Sequence, residues 1–376
     1  MERPLRVTML GLRGFPDVQG GVEKHAENLA RELVRLGCEV EVLARAPYVR
    51  HVQGRHVGQV RLVRLWSPRM RSLEAITHSI LGALVAGVRR PDVLHIHAIG
   101  PALAAPLARA LGLRVVVTHH GPDYAREKWG RFAARLLELG ERFGMTLSHA
   151  QIAISRGIAD LVRHKYGAEA AVIPNGVDRP AAPPGPDLVR AFGLSPGRYV
   201  ISVGRIVPEK RHLDLIEAFA QAGLRDWDLA LVGGADHHDS YAERVEEVAR
   251  ATPGVQMLGV QRGEALQALY AHAGVFVLPS SHEGLPIALL EAVSHALPVL
   301  ASDIPANLEV ELPADHYFPL GDVAALAGGL KRIASRPPSA DERAKLQETV
   351  LTRYDWSRIA SETIAVYRAA ISRRRA

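Results

Sequence analysis

Ser281-His282-Glu283-Gly284-Leu285-Pro286-Ile287-Ala288-Leu289-Leu290-Glu291-Ala292 follows directly on an apolar run, Gly274-Val275-Phe276-Val277-Leu278, closed by Pro279 and a Ser280/Ser281 pair. The run reads as a buried strand and the serines and proline as its end. Gly284 and Pro286 shape a tight turn, after which Ile287 to His295 reads as a helix. Glu283 thus falls in the loop at the carboxyl end of a strand. Glu291 lies inside the following helix, about two turns in on this reading, with seven residues between the two carboxylates. In open α/β sheets ligands bind at the carboxyl ends of strands, beside helix N-termini whose free N–H groups attract phosphate. The alternative reading, two solvated helix-end charges, is decided by the rest of the chain.

The same strand–loop–helix pattern repeats upstream. Tyr199 to Val203 is a strand, followed by Gly204-Arg205-Ile206-Val207-Pro208-Glu209-Lys210-Arg211 and a helix over Leu213–Ala220. Leu229–Val232 and Val255–Leu258 are further strands, the second leaving through Gly259-Val260; Leu297–Ala301 is another. Gathered at one sheet edge, these exits supply two cations (Arg205, Lys210), two carboxylates (Glu283, Glu291), a backbone edge (Gly259, Val260) and free helix amides. A nucleoside diphosphate asks for that set: cations for phosphate, a carboxylate for ribose hydroxyls, a backbone edge for the base.

The first half starts in the same manner. Leu5–Gly11 is a strand, Gly20-Gly21 opens a helix with Val22, Ala26, Leu29, Ala30 and Leu33 on one face, Gly37 stops it, and Glu39–Leu43 is the next strand. A dinucleotide fold would want G-x-G-x-x-G and an acidic end to the second strand; here the glycines are differently spaced and the strand ends at Ala44-Arg45. Asp92–His97 and Leu113–Thr118 are strands, the latter followed by His119-His120-Gly121-Pro122-Asp123. Ile76–Val88 is too short to span a membrane and reads as a buried helix. Arg126–Met145 reads as a helix with an apolar stripe of Phe132, Leu136, Leu139 and Phe143 flanked by arginines. It is either a surface helix packed on the sheet or an interfacial helix on anionic lipid.

A chain of 376 residues is long for one core. The Pro/Ala/Gly-rich stretch from Arg179 onward is the best linker, dividing a first domain, 1–178, from a second, 179–356, with a last helix, 357–376, packing back on the first. One cysteine, Cys38, excludes an intramolecular disulfide, and no Cys/His zinc spacing runs along the chain. Residues 1–178 hold 25 Lys/Arg against 16 Asp/Glu, a net of +9, and the remainder a net of −3. A basic first half suggests a polyanionic partner. Basic residues without interleaved aromatics exclude nucleic acid as the expected one.

Taken together, Gly204-Arg205…Glu209-Lys210, Glu283-x7-Glu291, the Gly20-Gly21 helix start, the His before Gly121, Asn175-Gly176 and Trp356 resemble glycosyltransferase family 4, retaining enzymes of the GT-B fold, over nearly the whole chain. Thr118–Tyr124 with Lys128-Trp129-Gly130 is further similar to bacterial surface-polysaccharide members, rhamnosyltransferase-like ones included. The resemblance implies two Rossmann-like parallel-sheet α/β domains facing across a cleft. It implies Arg205 and Lys210 on the donor diphosphate, Gly204 beside them, Glu291 on the ribose, and Gly259 and Val260 along the base. Glu283 with Gly284, Leu285, Pro286 and Ile287 would hold the donor sugar and phosphate, and Gly21 would contact the diphosphate or the sugar through its backbone. His120, directly before Gly121, best matches the active-site histidine, with His119 the alternative, since the doubled histidine leaves the register open by one. The expected catalytic set is His120, Arg205, Lys210 and Glu283, with no metal and no cofactor beyond the nucleotide sugar.

UDP- or GDP-sugars are favoured as donors, with dTDP-sugars next. The expected acceptor is a glycan or polyprenyl-diphosphate-linked glycan, and the expected location cytoplasmic and peripheral, at the anionic inner face of the cell membrane. Two rival classes remain: a nucleotide-sugar epimerase or glycosyl phosphorylase of the same architecture, and a non-enzymatic nucleotide- or polyanion-binding protein.

Overall fold

The computed structural model describes residues 3–68, 74–125, 131–235 and 240–372. The chain divides into two compact units, Met1–Gly176 with Asp355–Ala376, and Val177–Tyr354.

The first unit is built on strands β1 (Arg6–Leu12), β2 (Glu39–Arg45), β3 (His56–Val57), β4 (Val60–Leu65), β5 (Val93–His97), β6 (Val115–His119), β7 (Ala150–Ala153) and β8 (Ala171–Val172). They lie in the order β3-β4-β2-β1-β5-β6-β7-β8, parallel except for the β3–β4 pair. Parallel strands covered by helices on both faces must be apolar on both, so β5 and β6 are buried at every position. The helices are α1 (Gly21–Arg35), α2 (Glu74–Arg89), α3 (Ala105–Ala110), α4 (Arg131–Leu147) and α5 (Arg156–Tyr166).

The second unit carries β9 (Tyr199–Val203), β10 (Asp228–Val232), β11 (Val255–Gly259), β12 (Val275–Leu278), β13 (Val299–Ser302) and β14 (Tyr317–Phe318), all parallel, in the order β11-β10-β9-β12-β13-β14. Numbered from its own first strand this is 3-2-1-4-5-6, the doubly wound order whose switch point lies between the first and fourth strands. Here that point falls between β9 and β12. Its helices are α6 (Asp187–Ala191), α7 (His212–Ala222), α8 (Ser240–Ala251), α9 (Gly263–Ala271), α10 (Ile287–Ser294), α11 (Pro305–Leu308), α12 (Val323–Ser335) and α13 (Ala340–Arg353). The last helix, α14 (Trp356–Ser372), belongs to the first unit, where it packs on α1 and buries Trp356, Ile359, Ala360 and Tyr367 in the core.

Trp356 also explains one glycine. A Cβ on Gly176 would lie 2.4 Å from Trp356 Cδ2, closer than packed atoms come. Gly176→Ala is therefore expected to destabilise the first unit by about 1–3 kcal/mol in urea unfolding. Gly185→Ala, with open space around its Cα, is expected to leave the midpoint unchanged; equal midpoints for the two variants would refute this packing.

Two helix expectations need correction. The helix expected over Ile76–Val88 forms, as α2, but it is not buried all round. Its buried face is His78, Ser79, Gly82, Ala83, Ala86 and Gly87, while Ile80, Leu84 and Val88 are exposed, Val88 to 86%. The cause is close approach: a Cβ on Gly82 would stand 2.3 Å from Leu10 Cδ1 of β1. Small residues must face the sheet, and the large aliphatics fall on the other side. In α4 the buried face is Gly140, Glu141, Gly144 and Met145, not the Phe132–Phe143 stripe; Phe132 is 78% exposed and Leu139 39%. Residues 126–130, including Lys128, Trp129 and Gly130, lie outside the described residues.

Candidate active site

The loops leaving β9 and β12 flank the switch point of the second sheet, and they are tied together. The Ser281 N–H donates to the Glu209 carbonyl at 2.8 Å. Lys210 Nζ donates to Glu283 Oε1 at 2.5 Å, bridging motifs 73 residues apart. Both side chains are mostly buried, 18% and 13% exposed. Lys210 ends a short 3-10 turn, Pro208–Lys210, closed by Arg211 in the left-handed region (φ 48°). That turn folds the lysine stem back over Gly204, where a Cβ would sit 3.4 Å from Lys210 Cε. Arg205 lies half-buried in the same loop.

Past Glu283, Leu285 and Pro286 are buried and anchor the turn into α10. Glu291 is the fifth residue of α10, so it sits one turn in rather than two. The Tyr270 hydroxyl donates to Glu291 Oε2 at 3.2 Å. Burial, and then the Glu291 charge, hold the Tyr270 phenol well above its ordinary pKa, so it remains a donor. Pro286 caps α10 without a side-chain hydrogen bond, leaving first-turn amides directed to the carboxyl end of the sheet. On the other flank, a cavity of about 600 Å³ is lined by residues of β11 and α8 and by Gly233, Gly234, Gly259 and Val260. Neither Lys210 nor Glu283 is among its lining residues; only its Gly259–Val260 end coincides with a predicted site.

In the first unit, Gly21 starts α1 and is exposed. The turn before it is held by Arg13, whose Nη2 donates to the Gln19 carbonyl at 2.5 Å and whose Nε pairs with Glu23 at 3.1 Å. Gly20 has φ 152°, a backbone conformation that residues with a Cβ rarely adopt, so the turn favours glycine.

His119 and His120 part ways at the end of β6. His119 is fully buried: its Nε2 donates to Glu141 Oε1 at 2.8 Å and its Nδ1 accepts the Gly121 N–H at 3.0 Å. Both ring nitrogens are committed. His120 is half-buried, with Nε2 3.2 Å from His97 Nδ1 and its ring stacked on His97 at 5.5 Å. Of the pair, His120 is the one whose ring is not locked into the core.

Residues 19–179 match the family described as Glycosyltransferase Family 4, and residues 190–350 match Glycosyl transferases group 1. The chain belongs to glycosyltransferase family 4. Alpha-maltose-1-phosphate synthase of Mycolicibacterium smegmatis is 29% identical, over 97% of this chain and 99% of the relative. Among solved structures, sucrose-phosphate synthase from Thermosynechococcus elongatus aligns with a TM-score of 0.82 at 21% identity, covering 98% of each chain. The Anabaena protein HepE in complex with UDP-glucose aligns with a TM-score of 0.78 at 18% identity, covering 96% and 99%. The fold is GT-B.

This glycosyltransferase also holds residues that the sequence reading passed over. His25 on α1 and His97 on β5 close around His120, with His25 and His120 ring centroids 5.0 Å apart. His95, two residues before His97 and so on the same face, is fixed by the Tyr367 hydroxyl at 2.7 Å and Thr118 Oγ1 at 2.6 Å. Glu141 is fully buried and accepts from His119, Tyr124 (3.2 Å), Lys165 (2.6 Å) and Tyr166 (2.5 Å). The signal for the histidines was present: His25 shares the apolar face of α1, and His95-x-His97 has strand period.

Proposed function

We propose that this chain is a retaining, metal-independent glycosyltransferase that moves a sugar from a nucleoside-diphosphate donor to a glycan acceptor. The observation that carries the reading is the Lys210–Glu283 contact at the β9/β12 switch point. In this reading Arg205 and Lys210 bind the diphosphate and stabilise the charge that builds on it as it leaves, the task a metal performs in other transferases. Glu283, with the amides of Gly284 to Ile287, holds the sugar; Glu291, steadied by Tyr270, accepts from the ribose hydroxyls; Gly259 and Val260 follow the base. Gly21 contacts the diphosphate and His120 stands beside the reacting sugar. The acceptor hydroxyl attacks the face the nucleotide leaves, with a donor phosphate oxygen taking its proton. HepE, solved with UDP-glucose, supports a UDP-sugar as the first donor to try, before GDP- and dTDP-sugars, and the family supports a hexosyl or deoxyhexosyl group.

Hydrogen bonds to a charged group contribute about 1.5–3 kcal/mol. Glu291→Ala is therefore expected to weaken binding of the preferred nucleoside diphosphate at least about tenfold in calorimetry. The 2′,3′-dideoxy analogue should bind wild type and variant alike; a variant with wild-type affinity for both removes Glu291 from the site.

The acceptor in this proposal is a polyprenyl-diphosphate-linked glycan of bacterial surface polysaccharide, met at the inner face of the cell membrane. Two features support it: the net charge of +9 over 1–178, and the exposed Phe132 and Leu139 of α4 beside exposed Arg131, Arg135 and Arg142. No helix among the described residues is long and apolar enough to cross a membrane. The protein is expected to sediment with vesicles containing phosphatidylserine and not with pure phosphatidylcholine, and Phe132→Ser to weaken that binding; equal indifference to both vesicles contradicts it.

A further inference from the structure

The first unit gathers His25, His97 and His120 so that one ring nitrogen from each lies within 4.8 Å of the others. Three elements contribute: α1, the end of β5 and the turn after β6. Their positions in the chain are too far apart for any spacing motif to reveal them.

Three observations distinguish this cluster from a packed set of core histidines. First, His25 Nδ1 is buried without a hydrogen-bond partner. Buried polar atoms nearly always have one, and an orphan calls for an ion, a water or a catalytic role. Second, His97 Nδ1 and His120 Nε2 stand 3.2 Å apart. Two nitrogens bound tetrahedrally at about 2.0–2.1 Å to one metal are separated by roughly 3.3 Å. The contact already has the length of a tetrahedral edge. Third, the cluster rests on a fixed neighbour. His95 stands behind His97, ring centroids 4.1 Å apart, locked by Tyr367 and Thr118, so the platform is stiff.

We infer that His25, His97 and His120 form a binding site for a borderline divalent transition metal, Zn²⁺ foremost, with three imidazole ligands and an open fourth position. Neutral imidazoles with no carboxylate or thiolate suit Zn²⁺, Co²⁺, Ni²⁺ and Cu²⁺ and reject Mg²⁺ and Ca²⁺. His120 is the half-buried member and the point of entry. The metal is not the one that other transferases place on the donor diphosphate; the charges for that role lie in the second unit, on Arg205 and Lys210. It is an occupant that immobilises His120. Resting on the role proposed above for His120, occupancy inhibits sugar transfer and a chelator restores it.

The test uses the full chain stripped with EDTA. Titration with Co²⁺ should give one equivalent per chain bound, with the visible d–d bands of a tetrahedral site, and one equivalent of Zn²⁺ should erase them. X-ray absorption of the Zn²⁺ form should show a first shell dominated by imidazole nitrogen. His25→Gln and His97→Gln should each abolish the Co²⁺ bands while melting cooperatively. A wild type that keeps no Zn²⁺ after gel filtration overturns the inference, as do an oxygen-dominated shell or bands that persist in His25→Gln. None of these readouts needs turnover. Metal binding in a protein that transfers no sugar would sink the proposed function alone, and a protein that transfers sugar but takes up neither Co²⁺ nor Zn²⁺ would sink this inference alone.

Discussion

Lys210→Ala is expected to lower the rate of sugar transfer about a hundredfold or more, with the fold retained. Lys210 Nζ lies 2.5 Å from Glu283 Oε1 in a site where both groups are more than four-fifths buried. A cation fixed there meets the diphosphate without reorganising, and it acts most strongly when the bond to the sugar breaks and charge accumulates on the departing phosphate. One such charge-assisted contact contributes about 3 kcal/mol to the transition state, roughly two orders of magnitude in rate. The substitution does a second thing: it leaves Glu283 without its ammonium partner, a carboxylate facing an incoming dianion. The loss should therefore appear in kcat and in donor affinity together. Steady-state kinetics at several donor concentrations decide it, with cooperative thermal melting as the control. A variant within threefold of wild type in kcat/KM would remove Lys210 from the chemistry.

Glu141→Ala is expected to destabilise the first unit by about 3 kcal/mol or more. The carboxylate is fully buried and is the common acceptor of His119, Tyr124, Lys165 and Tyr166. Removing one member of a buried charged network typically costs about 3–5 kcal/mol; here the fully buried His119 is left without its acceptor, while Lys165, 37% exposed, can turn to water. Burial alone would raise the Glu141 pKa. The hydrogen bonds from His119, Lys165 and Tyr166 outweigh it and bring the group from its ordinary 4.5 to about 2. A carboxyl whose folded pKa is depressed stabilises the fold above its unfolded value and loses that contribution as pH falls through the folded one. Glu141 thus contributes on the order of 3 kcal/mol above about pH 4.5, fading down to about pH 2. Urea unfolding of wild type and Glu141→Ala across that range should show the two curves converging as acid is added; a constant gap would refute the ionic account. The network also sets the turn that carries His120, since Glu141 fixes the His119 tautomer and His119 Nδ1 then receives the Gly121 N–H. The variant should lose transfer activity beyond what its unfolded fraction explains.

The doubly wound character of both units was legible because parallel strands buried on two faces read as short apolar runs punctuated by glycine and proline. β1, β5, β9 and β12 are of this kind. The strand β4 was not read, since Arg61 and Arg64 interrupt Val60–Leu65; it lies near one edge of the sheet, where exposed positions alternate with buried ones. Helices α5, α12 and α13 are absent from the sequence reading although Ser155, Asp322 and the Ser339/Glu342 capping box mark their starts. For α2 the composition misled: an apolar helix need not be buried all round when its sheet-facing residues must be small. The donor half of the site was visible because its residues sit in contiguous loops at strand exits, so Lys210 and Glu283 could be named before their contact was seen. The histidine cluster could not be found that way. His25, His97 and His120 are neighbours only once α1, β5 and the turn after β6 are placed, and the role of Glu141 needs α4 laid against His119.

The most direct test of the central claim is to incubate the protein with UDP-, GDP- and dTDP-sugars and follow both fragments of the donor by NMR. The account predicts that one donor is cleaved, slowly without acceptor, to nucleoside diphosphate and free sugar. The sugar should appear first in the anomeric configuration it had in the donor, and Arg205→Ala and Lys210→Ala should abolish the reaction. Return of an epimerised nucleotide sugar, first appearance of the opposite anomer, or cleavage undiminished in both variants would contradict it.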